Sequence, residues 1–214
     1  GEEYQVVRLD EPITSTVGSA PTTTCEPLEL TSVLLDPDPS VDYFDLDPIA
    51  IQTEVDVRPH KVEMLDLDLP AYIDATTALL AARGVALPLI NIEQVIRTDL
   101  EGDGTDEVIV AASTIDPGDV FAAGVGDYTL VYLRKVVQGE VQTAILVDEI
   151  ITSLDELPFG AVRYRVSAVA DLNGDGKMEI VLSSETWEGA SVEAWEYVND
   201  DLGPVQVHTC GCGV

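Results

Sequence analysis

Two nine-residue stretches of the chain carry residue types spaced for metal-ion chemistry. Asp99–Glu107 reads DLEGDGTDE and Asp171–Glu179 reads DLNGDGKME, so both place oxygen-bearing side chains at positions 1, 3, 5 and 9. In the first stretch these are Asp99, Glu101, Asp103 and Glu107; in the second they are Asp171, Asn173, Asp175 and Glu179. Glycine at positions 4 and 6 lets the backbone curl around a point without Cβ clashes. Calcium accepts six to eight oxygens at about 2.3–2.6 Å in flexible geometry. Four side chains, the backbone carbonyl at position 7 (Thr105 or Lys177) and water meet that demand. Lys177 is no obstacle, because its carbonyl serves while its ammonium points outward. Magnesium fits less well, since it keeps its waters and requires stricter octahedral geometry. A plainer reading makes each stretch an acidic Asx-Gly turn between strands. Repetition of the same spacing in the same context favours two calcium sites instead. The pattern is not an EF-hand: the last acidic residue falls at position 9 rather than 12, and strands flank the loop.

Other chemistry has less material. Only His60 and His208 are present, and neither neighbours a Gly-flanked Ser, so a Ser-His-Asp arrangement lacks parts. Gly124-Val125-Gly126 lacks the third glycine of a dinucleotide loop and reads as a turn. Carboxylates are too numerous for a glycosidase pair to stand out. Trp187, Trp195, Tyr164 and Tyr197 have faces that stack on sugars, but aromatics in strands read first as core. Cys25 stands far from Cys210 and Cys212. A disulfide from Cys25 to one of the C-terminal pair is expected, with the third thiol free or paired between chains. Zinc on His208, Cys210, Cys212 and Cys25 is the alternative, although the spacing is not C-x2-C.

The elements that would position the loops follow from periodicity. Residues 4–9, 27–35 and 49–57 alternate as short strands. Residues 14–24 (TSTVGSAPTTT) read as a Ser/Thr-rich tether, so residues 1–13 form an N-terminal arm that either donates a strand to a neighbour, folds back onto its own core or stays disordered. Asp36–Pro48 holds five Asp and three Pro and reads as a solvated loop rather than a further cation site. One helix is predicted over 70–83, opened by Asp68 and Pro70 and stopped by Gly84, with Tyr72, Thr76, Leu79 and Leu80 on its core face. From Ile92 the chain repeats strand, acidic loop, strand, strand, turn, strand, with loop starts 72 residues apart (171 − 99). Gln138-Gly139-Glu140 and Asn199–Pro204 occupy the matching turns.

DLEGDGTDEVIV and DLNGDGKMEIVL resemble the calcium loops of FG-GAP/VCBS repeats, the blade modules of integrin-α-type propellers and of many secreted bacterial proteins. Phe159-Gly160-Ala161 is similar to the Phe-Gly opening of that repeat. The resemblance spans residues 92–207 and implies calcium on the eight side chains named above. Glu101 departs from the usual Asp or Asn at position 3. Two units fall short of the four or more blades a closed propeller needs. The expected fold is therefore mainly β: two four-stranded antiparallel blade-like meanders (92–150 and 151–214), preceded by a β/loop region with one helix (25–91).

The chain carries 40 acidic and 10 basic residues, a formal net charge of -30. Such a surface repels phosphate backbones and anionic lipid, which disfavours nucleic acid and membrane partners. No apolar run of about 18 residues suggests a membrane-spanning helix. The start at Gly1-Glu2-Glu3, without Met or an apolar leader, reads as a processed chain. Together these features predict a secreted, non-enzymatic calcium-binding surface or structural protein. Its expected partners are copies of itself, as in a filament, or another extracellular protein or glycan. The alternative is a glycan-binding or enzyme-accessory module, and behind it a carboxylate-based hydrolase.

Overall fold

The computed structural model describes residues 1–9, 11–24, 30–39, 48–85, 88–153, 155, 160–187, 189–196 and 205–213. The N-terminal third forms β1 (Glu3–Val7), β2 (Thr14–Gly18), β3 (Thr22–Thr24), β4 (Leu30–Ser32), β5 (Leu35–Asp36), β6 (Ile49–Ile51) and β7 (Glu63–Met64), followed by α1 (Pro70–Ala82). Longer strands follow: β8 (Ile92–Thr98), β9 (Glu107–Ser113), β10 (Tyr128–Val137) and β11 (Glu140–Ile150). The last four are β12 (Arg163–Ala170), β13 (Glu179–Glu185), β14 (Gly189–Glu196) and β15 (Val205–Gly213). The fold is mainly β with one helix among the described residues, and every strand pair is antiparallel.

The two meanders are sheets of order β11-β10-β9-β8-β7 and β12-β13-β14-β15. Their central strands are apolar on both faces, which is the pattern of a sheet covered on both sides. In β9, Ile109 and Ala111 face one way while Val110 and Ala112 face the other; β10 divides Val131 and Leu133 from Leu130 and Tyr132 in the same manner. The first set packs on Val166, Val169, Ile180 and Leu182 of the second meander. The second set packs on α1, through buried Leu80 and half-buried Tyr72 and Leu79. Across the second meander, Ala168, Ala170 and Val181 meet Val7 and Val57, with Ile49 and Ile51 beside them. The order of contact is thus helix, five-stranded sheet, four-stranded sheet, N-terminal sheet. Each fully buried Leu, Ile or Val contributes about 1.5–3 kcal/mol, so the interface between the meanders is the main stabilising layer. Gln94 adds direction to it. Its amide donates to the Val166 carbonyl and accepts from the Val166 N–H, each at 2.8 Å, standing in for a neighbouring strand.

Residues 14–24 are not a free tether. Thr and Val are good strand formers, and β2 buries Thr16, whose hydroxyl donates to the Pro37 carbonyl at 2.6 Å. β1 is an inner strand of the sheet β5-β2-β1-β6, paired with β2 on one side and β6 on the other, and Val6 and Val7 are buried. Of the expectations for the arm, strand donation, folding back or disorder, the structure has the second: β1 lies in its own chain's sheet with both of its edges paired. The strand expected over 49–57 ends at Ile51, and that over 27–35 appears as β4 and β5 among the residues described there. β7 adds a fifth strand to the first meander. Helix α1 begins at Pro70 behind Leu69, which makes no side-chain cap hydrogen bond, and Gly84 (φ 89°) follows its end. The turn at Gln138-Gly139 is a two-residue hairpin with both residues at positive φ (53° and 83°), the geometry that matches sheet twist. Residues 40–47 of the Asp/Pro-rich segment and the Asn199–Pro204 turn lie outside the described residues.

Candidate metal centre

The acidic loops join β8 to β9 and β12 to β13, and each is wound around its first aspartate. Asp99 accepts backbone N–H groups from Gly102 (2.7 Å) and Asp103 (3.1 Å) on Oδ1 and from Gly104 (2.8 Å) on Oδ2. Asp171 accepts from Gly174 (2.6 Å) on Oδ1 and Gly176 (2.9 Å) on Oδ2. Wrapping a chain so tightly requires left-handed backbone at positions 4 and 6, and all four glycines have φ between 71° and 87°. Position 5 closes the next turn: Asp103 Oδ1 accepts from Thr105 N–H at 2.7 Å and Asp175 Oδ1 from Lys177 N–H at 2.9 Å. Asn173 Oδ1 accepts the Asp175 N–H at 2.9 Å.

Position 9 begins the strand that follows the loop, β9 or β13, and looks back into the loop. Glu107 and Glu179 are each 2% exposed, and they accept the N–H of Leu100 (2.9 Å) and Leu172 (2.6 Å). Burial pushes both carboxyls up, from the ordinary 4.5 to about 7, against the lowering effect of those N–H donors. Negative neighbours push the same way: Glu101, Asp99 and Asp103 around Glu107, and Asp171, Asp175 and Glu196 around Glu179. A carboxyl with a raised folded-state pKa holds its proton where the unfolded chain has released it. Metal-free protein is therefore expected to lose stability as pH rises from about 4.5 through about 7, with the loss complete above that. Unfolding temperatures in chelator at pH 5 and pH 8 check this, and Glu179→Gln should flatten the slope.

The loops also touch each other. Met178 N–H donates to the Leu100 carbonyl at 2.8 Å, and His60 Nε2 lies 3.1 Å from the Gly176 carbonyl, which requires the proton on Nε2. A Cβ at Gly102 would sit 2.9 Å from that same nitrogen, so the histidine ring is wedged between the loops. The segment leading to His60 runs beside the second loop, with Val55 against Gly174 and the Val57 carbonyl accepting Asp171 N–H at 2.9 Å.

Glu101, Asp103, Thr105 and Glu107 line one cleft with Lys135, Gln138 and Lys177. Among the described residues, no three His, Cys, Asp or Glu side chains are placed to hold a metal ion as they stand. The oxygens of Asp99 and Asp171 are turned to their own loops' N–H groups, and Glu101 is paired with Lys135. The donor set itself is all oxygen and rich in carboxylate, the chemistry a hard divalent cation selects.

Of the other expected site residues, Cys25 lies outside the described residues. Cys210 and Cys212 lie in β15 opposite Val192 and Ala190, and His208 is opposite Ala194. Tyr164 and Trp195 pack on the core. Trp187 is about half exposed and sits in tilted contact with Phe121, ring centres 5.4 Å apart. His60, Lys135 and Glu196 are site neighbours that spacing alone did not single out, because they come from outside the repeated loops. No family model matches the chain, nor does any curated protein or solved structure. The resemblance of the two loops to FG-GAP/VCBS repeats thus stands on their own residues.

Proposed function

We propose that this chain is a calcium-stabilised, non-enzymatic structural protein of an extracellular surface or assembly, in which bound calcium rigidifies the loop ends of two packed β meanders. One observation carries the reading. The two loops carry oxygen-bearing side chains at the same four positions, and each ends on a carboxyl 2% exposed and pushed up to about 7 among like charges. A divalent cation would neutralise that cluster and allow both glutamates to ionise. Asp99, Glu101, Asp103 and Glu107, and Asp171, Asn173, Asp175 and Glu179, would supply side-chain oxygens, with the carbonyls of Thr105 and Lys177. The net charge of -30 keeps copies apart until cations screen them, which suits a secreted subunit that associates with itself or with an extracellular protein or glycan. Titration calorimetry of the chelator-stripped chain tests the reading. Calcium is expected to bind with a dissociation constant on the order of 10⁻⁴ M, with magnesium much weaker. No heat of binding at 10 mM calcium, on the order of a hundredfold above that constant, would refute it.

A further inference from the structure

The two loops share Asp at positions 1 and 5, Gly at 4 and 6 and Glu at 9 but differ at position 3, Glu101 against Asn173, and the strands that flank them differ too. β10 and β14 hold equivalent places in their meanders, each pairing with the strand that begins on the position-9 glutamate. The pairings Val108↔Arg134 and Ile180↔Trp195, extended by one residue, set Lys135 beside Glu107 and Glu196 beside Glu179. Lys135 and Glu196 thus hold the same place in the two units and carry opposite charges.

Each reaches position 3 of its loop. Lys135 Nζ lies 3.4 Å from Glu101 Oε2, with side chains only 9% and 12% exposed. In the second unit the Asn173 amide donates to Glu196 Oε1 at 3.4 Å and to Glu179 Oε1 at 3.5 Å. The first unit's pair is a neutral ion pair, +1 against -1, and the second's is a neutral amide with an anion. Breaking a buried ion pair leaves an uncompensated charge, which is strongly unfavourable. Calcium entering the first loop must displace Lys135 from Glu101 or sit beside its ammonium. Calcium entering the second displaces no cation at the equivalent position and gains a further carboxylate, Glu196.

From this we infer that Lys135 is the built-in cation of the first loop, and that the second loop, assisted by Glu196, is the calcium-selective one. The inference rests on the calcium reading above and replaces two equal sites with two unequal ones. Their affinities differ by about tenfold or more, since an ammonium a few ångströms from a divalent ion opposes it directly.

Calcium stoichiometry measured by equilibrium dialysis on the full chain tests it. The wild type should show one tight site, lost in Asp171→Asn and retained in Asp99→Asn. Lys135→Met should acquire a second tight site, and Glu196→Gln should weaken the existing one about tenfold, unlike the control Glu140→Gln at an exposed position. Two equal tight sites in the wild type, or tight binding lost in Asp99→Asn and kept in Asp171→Asn, would overturn this inference alone. If Lys135→Met does not fold, the two aspartate variants still decide it. Absence of calcium binding by every variant would overturn the calcium reading and this inference together.

Discussion

In 1 mM calcium the protein is expected to unfold several degrees higher than in chelator. The effect follows from mass action. A site with a dissociation constant of ~10⁻⁴ M stabilises the folded state by about 1.4 kcal/mol at 1 mM ligand. For a chain of this length each kcal/mol shifts the midpoint by about 2–4 °C, so one filled site gives roughly 3–6 °C. Raising calcium to 10 mM adds about 1.3 kcal/mol for the tight site and begins to fill the weaker one. Buffer pH enters with a definite sign. Calcium requires ionised glutamates, whereas Glu107 and Glu179 in the metal-free fold are pushed up to about 7. The calcium-dependent shift should therefore be larger at pH 8 than at pH 5.5. Differential scanning calorimetry in calcium and in EDTA at both pH values measures this, and superimposable curves at pH 8 would remove calcium from the account.

Asp171→Ala should destabilise the chain by about 3 kcal/mol even in chelator, because this carboxylate organises its loop without metal. It is 3% exposed and accepts the Gly174 and Gly176 N–H groups at 2.6 and 2.9 Å. Hydrogen bonds to a charged group contribute about 1.5–3 kcal/mol each, and alanine leaves two tightly turned N–H groups without their acceptor. Asp36→Ala, by contrast, removes an exposed carboxylate at the end of a two-residue strand and should stay within about 0.5 kcal/mol of the wild type. Urea unfolding of both variants in EDTA separates structural from metal-borne stability. Equal losses at the two positions would show that Asp171 does not organise its loop.

Local features of this fold were legible in the sequence. The helix is marked by Pro70 at its start, apolar residues at helical spacing and Gly84 after its end, and it forms over Pro70–Ala82. The acidic loops are marked by spacing within nine residues, and their glycines adopt the left-handed backbone that spacing requires. The long strands show themselves as apolar runs between turns, and each meander pairs in chain order.

Tertiary structure decided everything that depends on which surfaces meet. Residues 14–24 look like a tether because β2 turns one face to water; only pairing with β1 and β5 makes it a strand. β1 owes its place to β6, more than forty residues away, and no local pattern specifies that partner. The apolar runs of β9 and β10 say that both faces are covered, but not that α1 takes one face and the second meander the other. The same limit governs the site. Asp99, Asp103, Asp171 and Asp175 are legible because they act on neighbours within five residues. Lys135 meets Glu101 across 34 residues and His60 meets Gly176 across 116, contacts set by strand register and chain path. Charge inversion at one register position, Lys135 against Glu196, separates two loops that spacing alone makes equivalent.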